Sequence, residues 1–412
     1  MHSFHLVDKS CHRRKEEVQF VRVFFAMNGW EEAAEAGRAD CVLLFTCAEM
    51  RYKVANAIEE VARLSSQLAP DSELIVGSCL PKTDEEALAR VFQGRTITPT
   101  DFTALDSLPG ITVKVEEIPP IFGADADFRP IAGPDSWNSR FDISYKFSRW
   151  TGRAIRRCLP VNAFIPIAAK LAKTRRAVIH VSAGCAKNCS YCAIRFATGP
   201  VRSKPLNVVM RAIADGLHRG YRTFDLLSDS IGGYGIDLGT NLGELMDRIL
   251  ALPGGFTIGI SDLHPHEFIG YFDKILDLCA ASRLHYLYVP VQSGSERILR
   301  MMNRACNMNQ LTEKFLTVKK YPEVFLQTGI IVGFPGETEP EFNETVDFLQ
   351  TVRFDNVYVH YYCDMPGAIA SGLPEKIDRT VMIKRLEKIN SSGIRHNRAQ
   401  TRIEWESTLE IS

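Results

Sequence analysis

The sequence predicts an α/β protein: an N-terminal doubly wound α/β domain followed by a partial (β/α)6 barrel. Short apolar runs of strand type alternate with helix-length segments in two separate stretches, over the first ~110 residues and again over ~190 residues from Ala177. The chain is also long enough for both, since 412 residues, 45% of them hydrophobic, bury more than one core at ~150 residues per domain.

The elements follow in order. FHLV, VRVFF, DCVLLFT and ELIVG read as strands. Between the last two, EMRYKVANAIEEVARLSSQLA places Val54, Ile58, Val61 and Leu64 at helical spacing, and its length suits a crossover between parallel strands. Residues 1–112 therefore form a small doubly wound domain. Over residues 113–176 the pattern degrades into EEIPPIFGADADFRPIAGPDSW and a basic, aromatic-containing stretch, RWTGRAIRRCLPVNAFIPIAAKLAKTRR. This reads as a long linker able to hold a helix, its charge solvated rather than facing a substrate or membrane surface. Residues 177–395 carry AVIHVS, TFDLLS, FTIGIS, LHYLYVPVQ, FLQTGIIVGF and NVYVHYY. Six such repeats fit an incomplete barrel, because a closed eightfold one takes ~250 residues, and reactive groups belong at the C-terminal strand ends. A charged helix, VMIKRLEKINSSGIRHNRAQ, closes it, and the tail at 396–412 is too short for a further domain.

The formal net charge is zero, so no global basic field exists to hold a nucleic acid. No run of 18 apolar residues occurs, and MHSFHLVDKSCHRR lacks an apolar core behind a basic start, which predicts a soluble, cytoplasmic protein with no membrane partner. Eleven cysteines in a chain too large to need disulfide staples point to metal ligation or thiol chemistry.

After AVIHVS comes SAGCAKNCSYCAIR, in which Cys185, Cys189 and Cys192 are separated by three and then two residues. Three thiolates on one loop hold three irons of a 4Fe-4S cube and leave the fourth without a protein ligand. An open iron is a place for the amino and carboxylate groups of S-adenosylmethionine (SAM), whose one-electron cleavage makes a 5′-deoxyadenosyl radical. A structural zinc site would want a fourth ligand, and no further cysteine or histidine lies in this loop. The triad thus predicts the catalytic centre.

Here the sequence resembles the radical SAM superfamily, and within it the methylthiotransferase family. YCAIRFATGPVRSKP looks like that family's stretch after the triad, and LLSDSIGGYGIDLG, ISDLHPHEF, VPVQSGSERILRMMNR, GIIVGFPGETEPEF and VYVHYYCDMPGAIA resemble its successive strand ends. The resemblance implies that the regions of Ser228 and Asp229 and of Val291 to Ser295 approach SAM, which makes Gln292, Ser293 and Ser295 cofactor-side candidates. The plainer reading is that the small residues permit a tight strand-to-helix turn.

A second cysteine set lies in the N-terminal domain: Cys11 after FHLV, Cys47 at the end of DCVLLFT and Cys79 at the end of ELIVG. The carboxyl ends of parallel strands share one edge, so three distant cysteines converge there, and a second cluster is predicted. The resemblance implies the same, an auxiliary 4Fe-4S cluster on the three matching positions. The first of them departs from the family, with Ser-Cys-His in place of Gly-Cys and no nearby asparagine. Cys41, within its strand, is expected in the core, while Cys158, Cys279, Cys306 and Cys363 have no partner spacing.

The resemblance implies two 4Fe-4S clusters with SAM. One SAM methylates a sulfur on the auxiliary cluster, and a second yields the radical that opens an unactivated C–H bond for C–S bond formation. A one-electron donor such as flavodoxin or ferredoxin is implied as partner. Family members modify a tRNA adenosine or a ribosomal-protein aspartate, usually with a C-terminal β-barrel called TRAM, and this chain ends at about that barrel's first strand. The favoured substrate is therefore a peptide, protein or specialised metabolite. A tRNA methylthiotransferase without its TRAM domain is the second reading, and a SAM-binding redox or sensory protein the third. Gly329 stands where the family carries an aspartate, which marks altered substrate handling or relieves packing. His264, His266 and His360 also fall at strand ends and are read as structural.

Overall fold

The computed structural model describes residues 2–118, 129–130 and 176–396. Most of the linker, Cys158 and the tail beyond His396 lie outside the described residues.

The N-terminal sheet has the order β2-β1-β3-β4 and is parallel throughout. Its strands are β1 (Ser3–Asp8), β2 (Glu31–Glu32), β3 (Cys41–Thr46) and β4 (Glu73–Ser78). Alternation along β3 serves two faces. Val42 and Leu44 pack with Val54, Val61 and Leu64 of helix α2 (Arg51–Gln67), while Cys41, Leu43 and Phe45 pack with helix α1 (Lys15–Met27). The domain is thus doubly wound, as predicted, and Cys41 is core.

One expectation fails. VRVFF is helix, inside α1, although its residues favour strands. Val18, Val21, Phe24 and Phe25 recur at three- and four-residue spacing and are all buried, and Glu16 and Glu17 occupy the first turn. The apolar stripe extends upstream of VRVFF, and packing against the sheet overrides local strand preference.

The second sheet has the order β13-β12-β11-β10-β9-β6-β5. Strands β6 (Arg176–His180), β9 (Thr223–Leu227), β10 (Thr257–Ile260), β11 (Leu284–Tyr288), β12 (Phe325–Val332) and β13 (Asn356–Tyr361) are all parallel, in sequence order. They are the six predicted strands of the open barrel. β5 (Arg129–Pro130) adds an antiparallel edge, and β7 (Ser182–Ala183) pairs with β8 (Arg202–Ser203) beside the mouth.

Inside the barrel, Arg176 and His285 both reach Asp225, the Arg176 Nη2 at 2.7 Å and the His285 Nε2 at 3.2 Å from Oδ1. Gly259 makes room for this network, since a Cβ there would stand 2.4 Å from the Asp225 carboxylate. Above it Tyr286, Tyr288 and Tyr358 form an aromatic layer, with Tyr288 edge-on to Tyr358 at 5.7 Å between ring centres.

Candidate functional site between two strand-end edges

The C-terminal edge of the N-terminal sheet faces the C-terminal mouth of the barrel. Polar contacts of Arg13, Arg14 and Glu16 tie them. Arg13 Nη2 donates to Asp262 Oδ1 at 2.6 Å just beyond β10, and Arg14 pairs with Asp229 just beyond β9. Glu16 Oε1 accepts from Lys204 Nζ at 2.9 Å and meets His180 Nδ1 at 2.8 Å. The apolar side of the seam joins Ala193, Ala197, Met365 and Ala368 to the α2 face of the N-terminal domain.

Cys185, Cys189 and Cys192 lie on the loop that follows β7. Gly184 enters it at φ +82, and a Cβ there would fall 2.0 Å from the Pro200 carbonyl oxygen, so only glycine fits this turn. The loop is pinned from outside. Ser190 donates its N–H to Met302 O at 3.1 Å and its hydroxyl to Met301 O at 2.8 Å, and the Asn303 amide donates to Asn188 O at 2.8 Å. Two donors point at the sulfurs: the Lys187 N–H at 3.4 Å from Cys185 Sγ and the buried Arg304 guanidinium at 3.2 Å from Cys189 Sγ. Burial and the neighbouring Cys189 push the Cys192 thiol up to about 11, and burial raises Cys185.

The second set converges as well. Cys11, Cys47 and Cys79 follow β1, β3 and β4, which are neighbours in one parallel sheet. A hydrogen bond from Cys47, with Arg13 and Arg14 close by, holds the Cys11 thiol down at about 6, while burial raises Cys79. Ser78 carries a φ of +74 immediately before Cys79, a left-handed backbone that sets where the thiol points.

Among the described residues, no three His, Cys, Asp or Glu side chains are placed to share a single metal ion. A cluster of several irons does not need that, because its thiolates stand around it at separate corners. Three sulfurs per set, fixed N–H donors and a buried cation at Cys189 fit an anionic iron-sulfur group, which hydrogen bonds to sulfur stabilise.

The other predicted contacts sort unevenly. Ser228 is buried, its hydroxyl 2.8 Å from that of Ser182. Asp229 takes Arg14 and the Gly184 N–H at 2.8 Å. Ser293 accepts the Ser295 N–H at 3.1 Å, and Ser295 bonds Glu341 at 3.4 Å, the tight turn of the plainer reading. Gln292 differs. Its backbone bridges to Gly329 and Ile331 at a φ of +82, and its buried Oε1 meets no protein donor. His264 is similar at Nε2, and burial with Arg304 and Lys187 nearby keeps it neutral. Arg13, Arg14, Arg304 and the pair Glu49 to Lys53 (2.7 Å) escaped sequence reasoning. Only the dense charge of HRRKEE directly after Cys11 hinted at the first two.

Comparison with known proteins places this geometry. The radical SAM superfamily matches residues 179–349, and the Uncharacterized protein family UPF0004 matches residues 4–98. A probable threonylcarbamoyladenosine tRNA methylthiotransferase of Pyrococcus abyssi is 27% identical over 90% of this chain and 79% of its own. The ribosomal protein uS12 methylthiotransferase RimO of a Thermotoga species is also 27% identical, over 92% and 80%. Along nearly its whole length the chain is similar to radical SAM methylthiotransferases. The likeness marks it as a transferase that uses SAM and iron-sulfur chemistry. In fold alone it is similar to the radical SAM methyltransferase TsrM of Kitasatospora setae, with a TM-score of 0.57 and 12% identity over 90% of this chain and 74% of that one. Among the described residues no helix is long and apolar enough to cross a membrane.

Proposed function

We propose that this methylthiotransferase-like protein forms a C–S bond on a peptide or protein residue, with Cys185, Cys189 and Cys192 holding the radical-generating cluster and Cys11, Cys47 and Cys79 a second one. The observation that supports it is the facing of the two cysteine-bearing edges across the Arg13–Asp262 and Arg14–Asp229 contacts. A substrate carbon between them would reach both. When bound, SAM and the clusters supply a carbon radical and the sulfur it meets.

The chain's own residues do the rest. Gln292 offers an unpaired buried acceptor to a SAM donor group. Arg304 holds the charge of the Cys189 corner. Tyr288 and Tyr358 floor the mouth and exclude water beneath the reacting carbon. Lys53, Glu49, Arg13 and Asp262 run along the seam as two cations and two anions, a balance that suits a zwitterionic peptide segment better than a polyanion. The 410 Å³ groove farther along the seam carries Arg51, Arg90 and Arg379 on its wall, of which Arg51 pairs with Asp84 at 2.5 Å and Arg90 with Glu86 at 2.6 Å. A tRNA adenosine is the second reading, favoured by the tRNA-modifying relatives.

The test is anaerobic reconstitution of the wild type beside a variant with Cys11, Cys47 and Cys79 changed to Ala. Iron should fall from about eight to about four per chain. Equal iron in both removes the second cluster. Incubation with SAM and reductant should release 5′-deoxyadenosine, and a gain of about 46 daltons on peptide or on tRNA, as SCH3 replaces H, decides between the substrates.

A further inference from the structure

We propose that Arg13 and Arg14 are positioning residues that clamp the N-terminal cysteine set to the barrel mouth and lend positive charge to the cluster held there. The inference rests on the reading of Cys11, Cys47 and Cys79 as ligands.

Arg13 and Arg14 stand two and three residues after Cys11, beside the Ser-Cys-His departure from the family's pattern. Arg14 is 3% exposed, and its guanidinium spans the seam: Nη1 donates to Glu17 Oε1 at 3.0 Å within α1, and Nη2 reaches Asp229 in the barrel. Asp229 in turn accepts the N–H of Gly184, the residue before Cys185. One guanidinium and one carboxylate therefore connect the two cysteine loops. Arg13 makes a parallel tie to Asp262, which is held at a φ of +57 beyond β10. Both lie on the turn that opens at Cys11, where the Arg14 N–H donates to the Cys11 carbonyl oxygen at 3.0 Å.

Stability alone is a poor account of this arrangement. A buried ion pair is frequently no more stabilising than apolar side chains of the same volume, because both charges lose their water. Placement against thiolates gives the charges a use. A cluster gains negative charge when it takes an electron, so a fixed cation beside it favours the reduced form and raises its midpoint potential. Asp229 and Asp262 temper that effect, and removing one of them leaves the arginine's charge undiluted.

The experiment is a redox titration of the N-terminal cluster, followed by electron paramagnetic resonance, in the full chain with Cys185, Cys189 and Cys192 changed to Ala. Arg14→Gln should lower the midpoint potential, Arg14→Lys should leave it near the parent value, and Asp229→Asn should raise it, each with about four irons retained. A smaller downward shift is expected for Arg13→Gln. If Arg14→Gln and Asp229→Asn keep their iron and the potential of the parent, the inference is wrong. A shift of the same sign in both, or a Lys variant displaced as far as the Gln variant, also overturns it, because a loss of packing does not track charge. Should Arg14→Gln shed its iron, the Lys and Asn variants decide by the same signs. A parent without iron fails earlier, on the ligand reading itself.

Discussion

A Cβ built on Gly329 would stand 2.7 Å from the Tyr288 hydroxyl, so β12 accepts a side chain there only if that ring moves. A tyrosine from the neighbouring strand thus crowds this position, a cause invisible until the two strands are paired. Gly329→Asp should cost about 1–3 kcal/mol of stability, read as a fall in Tm, and Tyr288→Ala in the same chain should recover part of it. The cysteines were readable at this scale. The 185, 189, 192 spacing carries its meaning in one loop, and the three N-terminal positions in strand-end placement. The cations that face them were not, because Arg304 lies 115 positions from the Cys189 sulfur it meets.

The helix Glu339–Val352 shows how an element is fixed at one end. Its Glu341 Oε2 accepts the Thr338 N–H at 2.9 Å and the Thr338 hydroxyl at 2.7 Å, while Arg297 from the helix Glu296–Met301 donates to the same carboxylate. The Arg297 hydrogen bonds, helped by Thr338, hold Glu341 down at about 2. Its folded affinity for a proton is below the ordinary one, so the contribution to stability is whole above about pH 4.5 and is lost as pH falls through about 2. Glu341→Gln should cost ~1 kcal/mol near neutral pH and flatten that acid limb, as urea unfolding at several pH values would show. The strand expected at VRVFF failed at this scale for a physical reason: five residues of strand-forming type say less than the thirteen-residue stripe that contains them.

Docking of the two domains is the property of the whole molecule. Lys204 is wholly buried, and its ammonium meets Glu16 from the other domain at 2.9 Å. Glu16→Ala removes that carboxylate and should cost about 3–5 kcal/mol, with calorimetry resolving two unfolding transitions in place of one. A single transition at the wild-type temperature would show that the apolar seam and the Arg13 and Arg14 contacts hold the domains without Glu16. The sequence by itself determined the two α/β units, the order of the barrel strands and both cysteine sets, because periodicity and loop spacing are local. Only the tertiary structure decided that the two strand-end edges face each other, that Gln292 Oε1 is buried without a protein donor, and that Arg13 and Arg14 cross the seam. The seam depends on contacts between residues some 180 to 250 positions apart, for which a linear pattern holds no signal.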